Sequence, residues 1–231
     1  MDFTRRHKWE MEPSEAVALQ KEMAGEIRLQ NELPKALDRV AGVDVSYEKH
    51  GDLFYAGVVV LSFPDLAVVE EASCRQRQKF PYIPGLLSFR ELPVVLEAFR
   101  SLKSDPDVVL VDGQGIAHPR RLGLAAHLGL WLDRPTIGCA KSRLCGVHDN
   151  PGPERGARVP LRDGEETIGQ VVRTRDGVKP MYISPGHKVD IETAAEIALA
   201  CGGGYRLPEP TRQAHLYTNR LRLADRPGCR S

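Results

Sequence analysis

The chain has 231 residues, of which 42% are hydrophobic and 27% charged, and its 32 lysines and arginines against 31 acidic residues give a formal net charge of +1. This composition excludes an intrinsically disordered chain, and the near-neutral charge means that binding to a polyanion would depend on local basic clusters. No apolar stretch approaches the roughly 18 residues of a membrane span, and the first residues lack the apolar segment of a signal peptide.

The first half of the chain predicts one helix followed by three strands. Pro13 and Ser14 open a stretch with apolar residues at helical spacing, and Ser14 is the expected N-cap. Three β-rich runs follow, separated by turns of hairpin length: Val40 to Tyr47, Phe54 to Phe63, and Ala67 to Gln76. We therefore expect these strands to form an antiparallel meander.

The second half alternates between helices and short apolar strands. Asp107 to Val111 is typical of a strand covered on both faces, and Thr136 to Ala140 is another. Because a helix is predicted between them, the two strands should be parallel. The other predicted elements are helices at 88–102, 121–131, 191–200 and 211–223, a loop at 150–163, and a hairpin that joins 167–174 to 181–184.

These elements predict an α/β fold in which a mixed sheet, an antiparallel meander followed by parallel strands, is flanked by helices. We expect one domain over residues 1–231, with a core of about 13–223 and a disordered tail at 224–231. Five scattered cysteines without a CxxC pair are typical of reduced thiols. A cytoplasmic protein without membrane association is therefore expected.

Three acidic residues stand out because of the elements that carry them. Asp44 lies inside the first strand among apolar neighbours, and Asp112 ends a buried strand. Glu91 lies in the first turn of the helix between them. If the two strands are neighbours, Asp44 and Asp112 face one another, and two like charges so close require a cation. Oxygen ligands of this kind suit Mg²⁺ or Mn²⁺, which would polarise a phosphodiester and activate water.

Each acid also has a structural explanation. Ser88 to Glu91 matches a capping box, which by itself would account for Glu91. Asp112 precedes Gly-Gln-Gly and could be a turn residue, while Asp44 could pair with a buried basic group. The joint placement of the three acids nevertheless matches the metal ligands of the ribonuclease H-like fold, which favours a metal site.

Four segments carry a specific resemblance to a known family. They are Val40-Ala-Gly-Val-Asp-Val-Ser46, Phe80-Pro-Tyr-Ile-Pro-Gly-Leu-Leu-Ser-Phe-Arg-Glu91, Val111-Asp-Gly-Gln-Gly-Ile-Ala-His118 and Gly138-Cys-Ala-Lys-Ser-Arg143. From about Glu15 to Leu223 the chain resembles endonuclease V, the deoxyinosine 3′ endonuclease. The resemblance implies a DNA repair endonuclease that recognises deaminated adenine (hypoxanthine, or inosine); since no heptad pattern or exposed apolar helix is predicted, we expect a monomer. It would hydrolyse the second phosphodiester bond 3′ to the lesion with Mg²⁺, for which Mn²⁺ would substitute.

The resemblance also implies roles for particular residues. Asp44, Glu91 and Asp112 would be the metal-binding acids, and His215 and Lys141 would match the active-site histidine and lysine. The loop that unstacks the bases, here called the wedge, would comprise Pro81, Tyr82, Ile83 and Pro84. The lesion would be bound by main-chain groups of Gly85, Leu87, Gly113 and Leu124, with His118 beside them.

Basic clusters flank this expected site. Arg75 to Lys79 precedes the wedge, and Arg120 and Arg121 follow His118, so both clusters are placed where phosphates would pass. A third cluster, Arg5 to Lys8, is expected to be a solvated N-terminal tail.

Three alternative functions compete with a nuclease that acts on deoxyinosine in DNA. Inosine in RNA is the alternative substrate to deoxyinosine in DNA, and a non-catalytic nucleic-acid-binding module would keep the basic clusters without needing the acids. A kinase-like ATPase would need a glycine soon after Asp44 to bind phosphate, and Val45-Ser46-Tyr47 provides none. The sequence therefore favours the nuclease.

Overall fold

A computed structural model describes residues 1, 3, 5–48 and 51–225. Its helices are α1 (Pro13–Ala24), α2 (Leu87–Arg100), α3 (Leu124–Leu132), α4 (Ile191–Ala200) and α5 (Glu209–Ala224). Its strands are β1 (Arg39–Tyr47), β2 (Leu53–Ser62), β3 (Val68–Arg77), β4 (Val108–Val111), β5 (Thr136–Ala140), β6 (Arg158–Asp163), β7 (Glu166–Val172) and β8 (Met181–His187).

One eight-stranded mixed sheet, in the order β3-β2-β1-β4-β5-β8-β7-β6, runs through the molecule. The meander β1–β3 is antiparallel, and β1, β4 and β5 are parallel, which confirms the predicted fold class. The predicted hairpin of β7 and β8 is also present and joins β5 in antiparallel fashion. Helices α2 and α3 cover one face of the sheet, and α4 and α5 cover the other.

Close approach of α5 to the sheet depends on two glycines. A Cβ on Gly42 would lie 1.8 Å from the carbonyl oxygen of Pro210, and one on Gly57 would lie 2.8 Å from Thr218. Only hydrogen in place of a side chain lets the helix pack directly on β1 and β2. This packing sets the first half of α5 over the middle of β1.

Three local predictions were wrong. Residues 158–163 form strand β6 rather than a loop, because only Leu161 is buried in this edge strand and its apolar signal is weak. Helix α1 is capped by Glu12, which forms a capping box with Glu15, so Ser14 is inside the helix. Helix α3 begins at Leu124 rather than at 121, since Arg121 has a left-handed φ of 58° that breaks a helix.

The N-terminal segment is held against the protein by His7 and Trp9, which corrects the prediction of a free tail, although the side chains of Arg5, Arg6 and Lys8 are exposed. Nε2 of His7 lies 2.8 Å from Nε2 of His127, and the Trp9 ring stacks on Trp131 with 5.0 Å between centroids. Arg6 forms an ion pair with Glu26. Local composition could not reveal these contacts, because most of their partners lie more than 100 residues away in the sequence.

Two predicted features fall partly outside the described residues. Helix α5 continues through Ala224, the first residue of the predicted tail. Residues 226–231 of that tail lie outside the described residues, and so does His50 in the turn between β1 and β2. Within the described part of the chain, no helix combines the length and apolar character needed to cross a membrane.

Candidate active site

The site begins where β4 ends beside the middle of β1. Val43 pairs with Val111 in the parallel ladder, and the backbone N–H of Asp112 donates to the carbonyl of Val43 at 3.2 Å. The next residue in β1 is Asp44. Both aspartates are mostly buried and point into one cleft of about 290 Å³. The strand register therefore brings together the two carboxylates that the sequence placed on neighbouring strands.

Helix α5 adds His215 to this pair. Nδ1 of His215 lies 3.2 Å from Oδ2 of Asp44, and the Thr218 hydroxyl donates to the same oxygen at 2.7 Å. One ligand atom from each of Asp44, Asp112 and His215 can be chosen so that all lie within 4.8 Å of one another. A single cation could therefore contact all three side chains.

Glu91 lines the same cleft from α2, although it is not part of that three-residue cluster. Its side chain is only 7% exposed and makes no hydrogen bond or ion pair with any residue that the structure describes. Burial, followed by repulsion from Asp44 and Asp112, raises the pKa of Glu91 to about 8. A carboxyl group in such surroundings is protonated at neutral pH unless a cation compensates its charge.

The capping explanation for Glu91 is wrong. Helix α2 begins at Leu87 with Leu86 at the N-cap, so Ser88 is already inside the helix and makes no cap hydrogen bond. Its hydroxyl instead lies 3.0 Å from Nδ1 of His127. Glu91 is therefore held on the inner face of α2 by the helix itself, without a role in starting it.

Lys141 follows β5 and forms an ion pair with Asp112. Burial raises the pKa of Asp112, and the hydrogen bond from Lys141 opposes that shift. Lys141 also lines the cleft that contains the acids. Its ammonium group is thus available either to Asp112 or to an anion that enters the cleft.

The donor set fits a hard divalent cation. Carboxylate oxygens dominate it, with one imidazole nitrogen, and the neighbouring Glu91 has no partner of its own among the described residues. Carboxylates are ligands that Mg²⁺ and Mn²⁺ favour, whereas a structural zinc site would bring sulfur or several imidazoles.

A second cavity, of about 450 Å³, adjoins the acidic cleft and shares a wall with it. The shared wall consists of Leu87, Asp112, Leu124 and Lys141. All the other residues predicted to bind the lesion, except Pro81, also line this cavity: Tyr82, Ile83, Pro84, Gly85, Gly113 and His118. The structure therefore gathers the residues of the expected lesion pocket around one space.

The wedge is held on its inner side and free at its tip. Tyr82 is 65% exposed, whereas Ile83 packs partly against the buried cluster that contains Leu86 and Phe89. At the end of the wedge Gly85 has a φ of 80°, and its carbonyl accepts from Gln20, Arg120 and His118 at 2.7–3.1 Å. The loop is thus tied to α1 and to the segment that follows β4.

His118 supports this loop as a neutral side chain. Its Nδ1 accepts from the backbone N–H of Arg120 at 3.1 Å, so Nε2 carries the hydrogen donated to Gly85. Burial, with the nearby charge of Arg120, lowers the pKa of His118 to about 4. His118 therefore orients the wall of the cavity and carries no charge at neutral pH.

Most of the predicted phosphate-binding arginines are engaged within the protein. Arg75 pairs with Asp225, and Arg77 pairs with Asp52. Arg121 pairs with both Asp163 and Glu166. Since each of these guanidinium groups already has a carboxylate partner, they are weaker candidates for phosphate contacts than their sequence clusters suggested.

Sequence reasoning missed three residues of the site. Thr218 and Asn219 contact Asp44 and His215 from positions three and four residues after His215 on α5, a spacing that predicts neighbours on one helix face. Gln114 borders the second cavity. Its Nε2 donates to the carbonyl of Ser142 at 2.9 Å, and its buried Oε1 has no hydrogen-bond partner among the described residues.

Comparison with known proteins identifies the family. The Endonuclease V family model matches residues 21–216. Endonuclease V of Gloeobacter violaceus is 51% identical over 225 residues, which cover 96% of this chain and 91% of that protein. The crystal structure of Endonuclease V from Streptomyces avermitilis is 43% identical, with a TM-score of 0.87 over 92% of this chain and 94% of that one.

A third relative was solved with nucleic acid. Endonuclease V of Ciona intestinalis, in complex with a 24mer DNA containing an inosine followed by a ribo-adenosine, is 29% identical with a TM-score of 0.81. The match covers 90% of this chain and 96% of that one. With relatives this similar along nearly its whole length, the chain belongs to the Endonuclease V family of nucleases.

Proposed function

We propose that this nuclease recognises deaminated adenine in DNA and hydrolyses the second phosphodiester bond 3′ to it, with Mg²⁺ as the cofactor and Mn²⁺ as a substitute. One observation carries the proposal: an acidic cleft shares a wall with a cavity that is bordered by a rigid aromatic loop. A base held in the cavity would leave the adjoining backbone beside the acids. The inosine-containing DNA bound by the Ciona relative supports the same lesion.

In this proposal Asp44, Asp112 and Glu91 hold the cation, and His215 lies at its edge. The bound metal would polarise a phosphoryl oxygen and lower the pKa of water. Clustering of these side chains and the raised pKa of the unpartnered Glu91 support the assignment.

Lys141 and His215 would act on the charge of the phosphate. Lys141 is positioned to exchange its partner Asp112 for a phosphate oxygen once a cation neutralises that carboxylate. The hydrogen bond to Asp44 raises the pKa of His215, so the imidazole would be positively charged where it lies beside the cation and is not itself a ligand of it. Two fixed positive groups beside the scissile bond would stabilise the negative charge that develops in the transition state.

Recognition would use the wedge and main-chain groups. A base cannot be read on its pairing edge until it leaves the stack, and Tyr82 is positioned to fill the gap that it leaves. Main-chain groups of Gly85, Leu87, Gly113 and Leu124 would then contact the base. Oε1 of Gln114 is a further acceptor that an N–H of hypoxanthine could reach.

The acids and His215 lie on one continuous sheet, at the end of its strand β4, or on the helices packed on it, and the loops that follow these elements complete the walls of both cavities. We therefore propose that the chain is a single nuclease domain that acts as a monomer in the cytoplasm. Size-exclusion chromatography with light scattering tests the monomer directly.

The decisive experiment incubates the protein with end-labelled duplexes that carry one deoxyinosine, with matched adenine duplexes, and with inosine RNA, in Mg²⁺ or EDTA. In Mg²⁺ we expect a nick at the second phosphodiester bond 3′ to deoxyinosine. In EDTA we expect no nick. Cleavage of inosine RNA alone would make RNA the substrate. Binding without cleavage in any metal would instead indicate the non-catalytic module.

A further inference from the structure

A third cavity, of about 500 Å³, lies beside the wedge. It shares no lining residue with the acidic cleft or with the second cavity, which is called the lesion cavity from here on because it is proposed to bind the lesion. It opens between the N-terminal segment and the end of β3, and the residues that matter here are Arg5, Lys8, Trp9, Gln78, Lys79 and Phe80. The family model begins only at residue 21, so four of the eleven residues that line this cavity precede the matched region.

The electrostatics of this cavity suit a phosphate group. Arg5, Lys8 and Lys79 are exposed, and none forms an ion pair with a described residue. The lining contains one acid, Glu10, and one further cation, Arg77, which is already paired with Asp52. An anion that entered the cavity would therefore meet three positive charges that form no ion pair with a described residue, against the single carboxylate of Glu10.

The aromatic side chains of the cavity are fixed in place. Trp9 and Phe80 are half-buried, so each exposes part of its ring, while the rest is packed. Trp9 stacks on Trp131, and Phe80 stacks on Phe89 with 5.8 Å between centroids. Rings held in this way can stack with a nucleobase without first losing side-chain freedom.

Gln78 adds a polar group without a partner. It is only 9% exposed, and its Nε2 has no hydrogen-bond partner among the described residues. Its backbone N–H donates to the carbonyl of Asp52 at 2.7 Å, which fixes the strand end that carries it. Buried polar groups are rarely left unpaired, so the amide points to an acceptor supplied by a ligand.

The position of the cavity identifies which nucleotide could reach it. Phe80 lines this cavity and Tyr82 lines the lesion cavity, so at most about 7 Å of chain separates the two. When a lesion is extruded into its own cavity, the base that faced it in the duplex is left without a pairing partner. That orphaned base lies within reach of the other side of the same loop.

We propose that this third cavity binds the nucleotide opposite the lesion, with its phosphate on Arg5, Lys8 and Lys79 and its base against Trp9, Phe80 and Gln78. The inference rests on the proposed function, because it assumes that a base is extruded from duplex DNA. The protein would then hold both members of the opened base pair, one on each side of the wedge.

The test is a thermodynamic cycle on binding in Ca²⁺. One duplex carries deoxyinosine opposite thymine, and the other carries deoxyinosine opposite an abasic site. For Trp9→Leu we expect a loss of about 5- to 150-fold on the first duplex and a much smaller loss on the second, because only the first has a base to stack. Gln78→Leu should show the same selectivity with a smaller loss. It should not lower the melting temperature, since it removes an unpaired donor.

Equal losses on the two duplexes, or no loss on either, would overturn the inference. The phosphate contact is tested separately by Lys79→Ala, which should reduce the slope of log affinity against log salt by about 0.9. Lys35→Ala is the matched control, because this exposed lysine lies before β1, at the end of the strand remote from Asp44. An equal change in slope for both variants would contradict a phosphate site.

Cleavage of single-stranded deoxyinosine DNA separates this inference from the proposed function. That substrate has no opposite nucleotide, so wild-type cleavage of it tests only the catalytic assignment. If the wild type cleaves single strands while Trp9→Leu and Gln78→Leu lose equally on both duplexes, the cavity assignment fails and the proposed function stands.

Discussion

Aspartates lie at both ends of the parallel ladder between β1 and β4, but their surroundings are opposite. At the amino-terminal end, Oδ2 of Asp107 accepts from the backbone N–H groups of Asp38 and Arg39 at 2.7 and 2.9 Å. The backbone N–H of Asp107 in turn donates to the carbonyl of Arg39. At the carboxyl-terminal end, Asp44, Asp112 and Glu91 converge with few donors to satisfy them.

The contrast separates a structural acid from a functional one. Asp107 has its donors within the protein and ties the two strands together. At the other end, Asp44, Asp112 and Glu91 have more negative charge than the surrounding protein compensates. The raised pKa values of Glu91 and Asp112 are consistent with this excess of negative charge. Acids that lack enough hydrogen-bond donors at the carboxyl-terminal side of parallel strands indicate a cation site. Asp107, whose carboxylate accepts hydrogen bonds from the backbone, does not indicate one.

The largest effect is expected from Asp112→Ala or Asp44→Ala. Either change removes a proposed metal ligand and should lower single-turnover cleavage at least about 10³-fold, because the metal accounts for several kcal/mol of transition-state stabilisation. Inosine-DNA binding in Ca²⁺ should survive. Asp107→Ala is the matched control: it should destabilise the fold by about 1–3 kcal/mol and leave folded enzyme active. Near-normal nicking by Asp112→Ala would refute the assignment of the acidic end.

His215→Ala tests the imidazole that lies beside these acidic residues. We expect cleavage to fall about 10²–10³-fold, since the imidazole would act on charge in the transition state. Asn219→Ala should produce a smaller loss, because Nδ2 of Asn219 lies 3.0 Å from Nε2 of His215 and only orients it. Chemical denaturation provides the control: loss of stability with normal specific activity in the folded fraction would make His215 a structural residue.

Two side chains of the wedge, Tyr82 and Ile83, are expected to respond differently to truncation. Tyr82→Ala should weaken inosine-duplex binding and cleavage about 5- to 150-fold, the range for loss of one aromatic–base stack, and Tyr82→Phe should stay near wild type. The half-buried Ile83→Ala should instead lower the melting temperature. Single-stranded substrate should be much less affected by Tyr82→Ala, because little stacking has to be broken. Equal losses on duplex and single strand would exclude the wedge role.

The smallest and most specific effect concerns pH. The pKa of Glu91 is about 8 in the folded state and 4.5 when unperturbed. Its contribution to metal-free stability is therefore fully present below pH 4.5 and is lost as pH rises through about 8. Melting temperatures in EDTA should fall more steeply over pH 5–8 for wild type than for Glu91→Gln. Mg²⁺ should stabilise wild type most at the upper end of this range, and identical slopes would show that Glu91 does not titrate there.

Much of the fold could be predicted because its signals are local. The apolar run of β4 and the meander of β1–β3 carry clear periodicity, and Asp44 and Asp112 interrupt apolar strands where a carboxylate is conspicuous. The resemblance to endonuclease V added Lys141, His215 and the wedge, whose spatial meeting no local pattern reveals. Their catalytic and binding roles stay predictions.

The failures have a common physical origin in contacts that are distant in sequence or weak in signal. Strand β6 buries one side chain and therefore lacks alternation. Ser88 matched a cap motif, yet its hydroxyl is committed to His127, 39 residues away. The N-terminal basic run was misjudged because its His7 packs on a residue 120 positions later.

The triple anchoring of the Gly85 carbonyl has an energetic consequence. Donors from Gln20, Arg120 and His118 fix the end of the wedge before any substrate arrives, so the conformational entropy of ordering that end is lost during folding. Association with DNA then starts from a loop that is already shaped. If the chain opens a base pair as proposed, more of the favourable contact energy would be left for that step, and little would be spent on immobilising the protein.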